Sequence, residues 1–248
     1  MDARHQAAAW QCVSLLLEYP EQALMERLDL LAQVAAELPP AAGEPIGALV
    51  AKMQGRGLRE LQMEYVDTFD VTRKCSLHLT YFTDGDTRKR GVSLVQFKQA
   101  YRRAGVHLSD EQAELPDHLC VLLEFGAVHD PEIAWRLLND HRVGIELLHR
   151  ALTQRTSLWR YATAGLRTTL PQLGGDDEDA LLRLIAEGPP SEQVGLDSSP
   201  YAAFDPALDD PGQRHPLAQP HGSAPPGQAA GPGTVAHLGP TIDVGAPR

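Results

Sequence analysis

The chain has 248 residues, 43% of them hydrophobic, which is enough for one domain with a sizeable core and too few for two comfortable ones. A formal net charge of −11 sets it against duplex nucleic-acid binding, which calls for a basic face, and suits a basic or peptide-like partner. Three cysteines, Cys12, Cys75 and Cys120, are far apart and odd in number, so no disulfide framework follows and a reducing cytosol fits. The opening MDARHQAAAWQCVSLLLEYP lacks a secretory signal's charge order and long apolar run. Nothing approaches the roughly 18 apolar residues of a membrane span, so a cytoplasmic protein without direct membrane insertion is expected.

Helical periodicity then dominates. Trp10, Val13 and Leu17 share a face, and that helix should stop near Tyr19–Pro20. Leu24, Leu28, Leu31, Ala35 and Leu38 recur at three- and four-residue steps, an amphipathic helix closed by Pro39–Pro40. Ile46, Leu49 and Met53 mark a shorter helix broken by GRG at 55–57, and Leu58, Leu61, Tyr65 and Phe69 form the next stripe. After a turn-rich stretch, Leu94, Phe97, Tyr101 and Ala104 return to helical spacing. LSDEQAELPDHL reads as a turn and then a helix start, with Pro116 in its first turn and Asp117 as a helix-terminal carboxylate. Leu119, Leu122, Phe125 and His129 line one face of that helix, and Ala134, Leu138, His141, Ile145, Leu148 and Leu152 extend as one long helix. Leu158, Tyr161 and Gly165, then Ala180, Leu181 and Ile185, suggest two more. No convincing alternating strand is present. The expectation is an all-α single helical bundle of about eight helices over residues 4–187. From Gly188 the composition changes: twelve of the 19 prolines lie beyond it and only two aromatics, Tyr201 and Phe204. Such a stretch cannot bury enough apolar surface to offset its ordering entropy, so 188–248 reads as a disordered Pro/Gly-rich tail.

The stretch TRKCSLHLTYFTDGDTRKRG, 72–91, concentrates the polar chemistry. Cys75 and His78 stand at C-x-x-H spacing, but a structural zinc site needs four ligands, and His118 and Cys120 are separated by one residue only. Cys75 and Cys120 read more simply as small core residues. DGD at 84–86 resembles the start of a calcium loop, yet the twelfth position is Val95 rather than glutamate, and a turn suffices. Arg88, Lys89 and Arg90 could face a phosphate, but no glycine-rich loop precedes a helix there, and Asp84 and Asp86 lie within pairing reach. Asp117 and His118 are adjacent, about 100° apart on a helix, and so make no ready catalytic pair. The enzyme alternative is a metal- or nucleotide-dependent site built from Cys75, His78, Asp84, Asp86 and Asp117. A nucleic-acid adaptor using the basic residues of 88–103 is set back by the net charge.

Two stretches together are more specific than any of these motifs: EYVDTFDVTRKCSLHLTYFTDGDTRKRG at 64–91 and ELPDHLCVLLEF at 114–125. They resemble the nitrate reductase molybdenum cofactor assembly chaperones of the NarJ type, or delta subunit, within the TorD-like redox-enzyme maturation chaperones. The resemblance spans roughly 8–185 and leaves the tail out. It implies an all-helical cytoplasmic chaperone that catalyses no reaction and carries no metal or cofactor. It also implies a partner, the nitrate reductase catalytic (alpha) subunit. The chaperone would bind that subunit's N-terminal segment and keep the apoenzyme competent for molybdenum cofactor insertion and assembly before membrane docking. Molybdenum cofactor biosynthesis proteins are implied as further partners.

On that reading an amphipathic peptide lays its apolar side chains into a helical groove. The lining would come from Tyr65, Phe69, Leu79, Tyr81, His118, Leu122 and Phe125, with Asp70 and Glu124 meeting the peptide's basic residues. Ser76, Asp86, Arg88, Arg90, Pro116 and Asp117 would form the bracing scaffold. For Asp117 and His118 the alternatives of bracing the fold and touching the peptide stay open.

Overall fold

The computed structural model describes residues 1–108, 114–187 and 242–244, and among these the regular structure is eleven α-helices and one pair of short strands. Helix α1, Ala3–Leu17, begins where the Asp2 carboxylate accepts the His5 N–H at 2.8 Å and stops short of Pro20. Helix α2, Gln22–Glu37, buries Leu24, Leu28, Leu31 and Ala35 as their spacing requires. Pro39–Pro40 ends it and starts α3, Pro40–Gln54, a proline being harmless in a first turn. Helix α4, Leu58–Tyr65, runs on into a π-helical turn, Val66–Asp70, and then a 3₁₀ turn, Arg73–Cys75.

Helix α5, Leu79–Asp84, is short because Gly85 follows at φ +60°, a backbone that side-chain-bearing residues avoid. Helix α6 is Arg88–Arg103, and Gly105 at φ +77° turns the chain into strand β1, Val106–Leu108. Helices α7, Leu119–Val128, α8, Pro131–Asp140, α9, Arg142–Gln154, α10, Arg160–Arg167, and α11, Gly175–Glu187, complete the bundle. Strand β2, Ile242–Val244, pairs antiparallel with β1.

Three expectations shift. The helices outnumber the eight expected, partly because the stretch through 134–152 is two helices that meet at His141. The helix start expected at Pro116–Asp117 falls at Leu119, and both residues lie before it. A strand pair exists where none is expected, since three residues are too few to show an alternation. The expected disordered tail lies outside the described residues apart from Ile242–Val244. Among the described residues no helix is long and apolar enough to cross a membrane.

Helix α1 sits at the centre, packed on α2, α3, α7 and α10. Trp10, Val13, Leu16 and Leu17 are fully buried on it. Its last carbonyls have no helical partner, and two aromatic side chains supply one: the Trp159 indole N–H donates to the Leu16 carbonyl at 3.0 Å and the Tyr65 hydroxyl to the Leu17 carbonyl at 3.0 Å. Buried Ser14 donates to the Cys120 carbonyl at 2.9 Å and so fixes the rotation of α7 against α1.

The approach of α7 depends on Gly126, where an added Cβ would stand 2.5 Å from the Ala134 side chain and 2.7 Å from the Trp10 ring. Gly126→Ala should therefore destabilise the fold by about 1–3 kcal/mol, the usual range for overpacking a core. Gly91→Ala, in an open position on α6, should be neutral or slightly stabilising. Paired denaturant titrations of the two variants check this, and equal midpoints would refute it.

Candidate functional site

A backbone bridge brings the two motif stretches together. His78 and His118 pair in antiparallel fashion, the Leu119 N–H donates to the Leu77 carbonyl at 2.8 Å, and the Leu79 N–H donates to the Asp117 carbonyl at 3.1 Å. This seats the Asp117 side chain beneath the first turn of α5, with none of it exposed. One carboxylate oxygen accepts the Thr80 hydroxyl at 2.6 Å and the Thr80 N–H at 3.2 Å, and the other lies 3.3 Å from His78 Nδ1. Arg90 donates through Nε to the Thr80 hydroxyl at 3.3 Å and stands 3.8 Å from the carboxylate. The Tyr101 hydroxyl donates to the Pro116 carbonyl at 2.7 Å and holds the segment from the other side.

Asp117 therefore caps α5, not the helix after it in the chain, because the backbone turns away before α7 begins. Burial alone would raise its carboxyl pKa. The hydrogen bonds from His78 and Thr80, with the charges of His78 and Arg90, outweigh burial and hold it below the usual carboxylate range. Neighbouring His118 behaves in the opposite way. Burial, then the charge of His78, pushes its pKa down to about 3, so it stays neutral. Its Nδ1 is buried with no hydrogen-bond partner among the described residues.

A second surface lies where the end of α1, the π-turn after α4 and α7 meet. Tyr19, Tyr65, Phe69 and Trp159 form a ring cluster, with Tyr65 centred 5.4 Å from Tyr19, 4.6 Å from Phe69 and 5.4 Å from Trp159. Carboxylates gather around it. Burial, then the anionic neighbour Glu124, raises Glu18 to about 7; Arg27 opposes the shift and Glu21 adds to it. Glu124 is itself raised by burial. The Tyr65 hydroxyl is raised by burial first and then by the nearby anions, Asp70, Glu114 and Glu18 among them. Tyr19, Val66 and Leu115, each next in sequence to one of these groups, are exposed at 45%, 39% and 42%. An apolar rim on carboxylates is suited to a cationic, amphipathic ligand.

The expected site residues divide between these two places. Phe69, Asp70 and Glu124 belong to the acidic–aromatic surface, whereas Tyr65 is buried beneath it with its hydroxyl on the Leu17 carbonyl, which corrects its assignment as groove lining. Leu79, Leu122 and Phe125 are fully buried, which corrects their assignment to an open groove: they point to the core that α1, α5 and α7 share. Tyr81 lies on α5, which packs on α6 and α9, away from the Tyr65 rings. His118 and Pro116 are buried beside the Asp117 hub. Ser76 accepts the His78 N–H at 3.2 Å, Asp86 is 3.7 Å from Arg90, and Arg88 is exposed.

The cluster of the enzyme alternative is not assembled. His78 and Asp117 meet, whereas Asp84 accepts the Ser93 hydroxyl at 2.6 Å and Cys75 is fully buried. Among the described residues no three His, Cys, Asp or Glu side chains are placed to share a metal ion. Glu18 and Tyr19 join these sites without any sequence signal of their own, since LEYP at 17–20 reads only as a helix end, and Thr80 and Glu114, though inside the motif stretches, are not singled out by them.

The model of the nitrate reductase delta subunit family matches residues 35–164. NarJ of Bacillus subtilis strain 168, assigned as a nitrate reductase molybdenum cofactor assembly chaperone, is 26% identical over 190 residues, covering 70% of this chain and 94% of that one. The chaperone NarJ of Escherichia coli K12 is 33% identical over 153 residues, 60% of this chain and 63% of that one. The nitrate reductase-like protein NarX of Mycobacterium tuberculosis H37Rv is 36% identical over 165 residues, 66% of this chain but only 24% of NarX. A solved structure assigned as a redox enzyme maturation protein of Archaeoglobus fulgidus superposes with a TM-score of 0.50 at 20% identity, over 65% of this chain and 92% of that one, which shows the shared fold.

The geometry sets two expected outcomes. Asp117→Ala leaves the first turn of α5 uncapped beside a cation, and should destabilise by about 3–5 kcal/mol, nearer the lower figure because Arg90 keeps 20% exposure. Because the folded Asp117 pKa is depressed, its contribution is present above the unfolded carboxyl value and is lost as pH falls through the folded one. The melting temperature of the wild type should therefore approach that of the variant in acid; a constant gap would contradict this. For Glu18 the sign is reversed. Its folded pKa is raised to about 7, so the stability from holding the proton is lost as pH rises towards that value. Glu18→Gln should raise the melting temperature more at pH 8 than at pH 5, and an equal change at both would count against the buried-carboxyl assignment.

Proposed function

This chain belongs to the nitrate reductase delta subunit family, and on that basis we propose that it is an assembly chaperone of a nitrate reductase. Its client is the N-terminal segment of the catalytic subunit, bound as a short amphipathic helix. Binding keeps the apoprotein competent for molybdenum cofactor insertion before the complex docks at the membrane, and it takes place in the cytoplasm. The chaperone works by binding alone. Proteins that make or deliver the cofactor are its natural further partners.

The observation that carries this reading is the gathering of Glu18, Asp70, Glu114 and Glu124 around the Tyr19–Tyr65–Phe69 rings. Exposed Tyr19, Val66 and Leu115 and half-buried Phe69, laid over buried Tyr65, offer apolar contact to one face of a helix, and the carboxylates meet lysine or arginine at its rim. Part-buried carboxylates interact more strongly with a cation than freely solvated ones, because less water screens them. The Asp117 hub acts indirectly in this reading: it braces the 114–119 segment that carries Glu114 and Leu115 to the surface.

Calorimetry with a synthetic catalytic-subunit N-terminal peptide tests the proposal. Saturable binding is expected, with a negative ΔCp from apolar burial. The double variant Glu18→Gln, Asp70→Asn should weaken it by roughly tenfold at low salt and by less at high salt. Absence of heat and of competition at high micromolar peptide would overturn the reading. Equal affinity in the variant would move the site elsewhere.

A further inference from the structure

Two helices present exposed apolar side chains on faces of opposite charge. Helix α6, RKRGVSLVQFKQAYRR, holds six lysine and arginine residues and no carboxylate, in a chain whose net charge is −11. Arg90 turns to the Asp117 hub, while Arg88, Lys89, Lys98, Arg102 and Arg103 are exposed. Val92 and Val95 lie among these cations and are exposed as well. At Gly91, beside them, an added Cβ would meet open space. Helix α11, GDDEDALLRLIAE, has the opposite character. It packs on α9, with Ala180, Leu181 and Leu184 half-buried. Glu178 and Asp179 are exposed, and so are Leu182 and Ile185 further along the helix.

The two faces match position by position. Arg88 precedes Val92 by four residues and Val95 by seven, and Glu178 precedes Leu182 and Ile185 by the same intervals. Lys89 and Asp179 each stand one place further on. Residues three, four and seven apart share one side of a helix. Two such helices laid side by side and parallel set a pair of carboxylates against a pair of cations, and aliphatic side chains against aliphatic side chains. The carboxylates also fall beside the N-terminus of α6, where the helix dipole favours negative charge. Within one copy the two faces do not cover each other, since all four apolar side chains are exposed.

We propose that the exposed face of α6 is a docking surface for α11 of a second copy of this chain, with Val92 and Val95 against Leu182 and Ile185, and Arg88 and Lys89 meeting Glu178 and Asp179. A second copy fits because the chain carries both halves of the match, and complementary charge selects the partner and its register. The contact is a short helix pair, so association is reversible and weak. It lies apart from the acidic–aromatic surface and does not depend on the client proposed above.

Sedimentation velocity on the full chain tests this. Reversible association is expected by roughly 100 μM, the regime of small interfaces, and should weaken as salt is added. Arg88→Glu with Lys89→Glu, or Glu178→Arg with Asp179→Arg, should each weaken it about tenfold or more by placing like charges together. Mixing these two double variants restores opposite charge at both contacts, so the mixture should associate as wild type does, which also shows that both are folded. Val92→Ser with Val95→Ser should weaken association without changing any charge. A wild-type chain that stays monomeric throughout, or a mixture no more associated than its components, would overturn the proposal. Monomeric protein that binds anionic vesicles through Val92 and Val95 would also overturn it and give the α6 face to a membrane.

Discussion

A carboxylate with no exposure to water has to find its hydrogen bonds inside the protein, and Asp117 finds them on another piece of chain. Its partners, Thr80 and His78, lie at the start of α5, with Arg90 of α6 nearby. Burial by itself would favour the neutral acid, yet the donors win and the group stays ionised. Two pieces of the chain are therefore organised around this one group: α5 takes its first-turn cap from it, and the chain into α7 is set by the bridge beside it. An apolar residue in its place would remove the charge but leave the Thr80 N–H without its acceptor.

The consequence for function is positional. The residues just before Asp117 form one side of a surface whose other sides are the end of α1 and the π-turn after α4. At that junction Tyr65 serves two purposes: its hydroxyl closes the last turn of α1, and its ring joins the cluster formed by Tyr19, Phe69 and Trp159. A chain with a net charge of −11 thus sets several of its carboxyl groups beside aromatic carbon, and the proposed function rests on that juxtaposition.

The helices are legible in the sequence because burial repeats with the helical period: Leu24, Leu28, Leu31 and Ala35 are buried as their spacing predicts. The break at His141 is not, since Leu138, His141 and Ile145 keep that period through it. The motif residues Asp117, Arg90 and His78 are legible as a group, but their geometry is not. A cap is expected from neighbours along the chain, and this one acts across it. Leu79, Leu122 and Phe125 suggest a groove because an apolar stripe looks the same whether it faces a core or a ligand. Glu18 and Glu114 stay hidden for a related reason: nearly a hundred residues apart in sequence, they come together only through tertiary packing.

Chemical-shift mapping of the full chain with the catalytic-subunit N-terminal peptide separates these possibilities most directly. The largest changes are predicted at Glu18, Tyr19, the 65–70 turn, Glu114, Leu115 and Glu124, with Asp117 and Thr80 responding only weakly as the frame beneath them. Changes centred on the exposed faces of α6 or α11, with the Tyr19–Tyr65 region silent, would contradict the assignment of this surface as the client site.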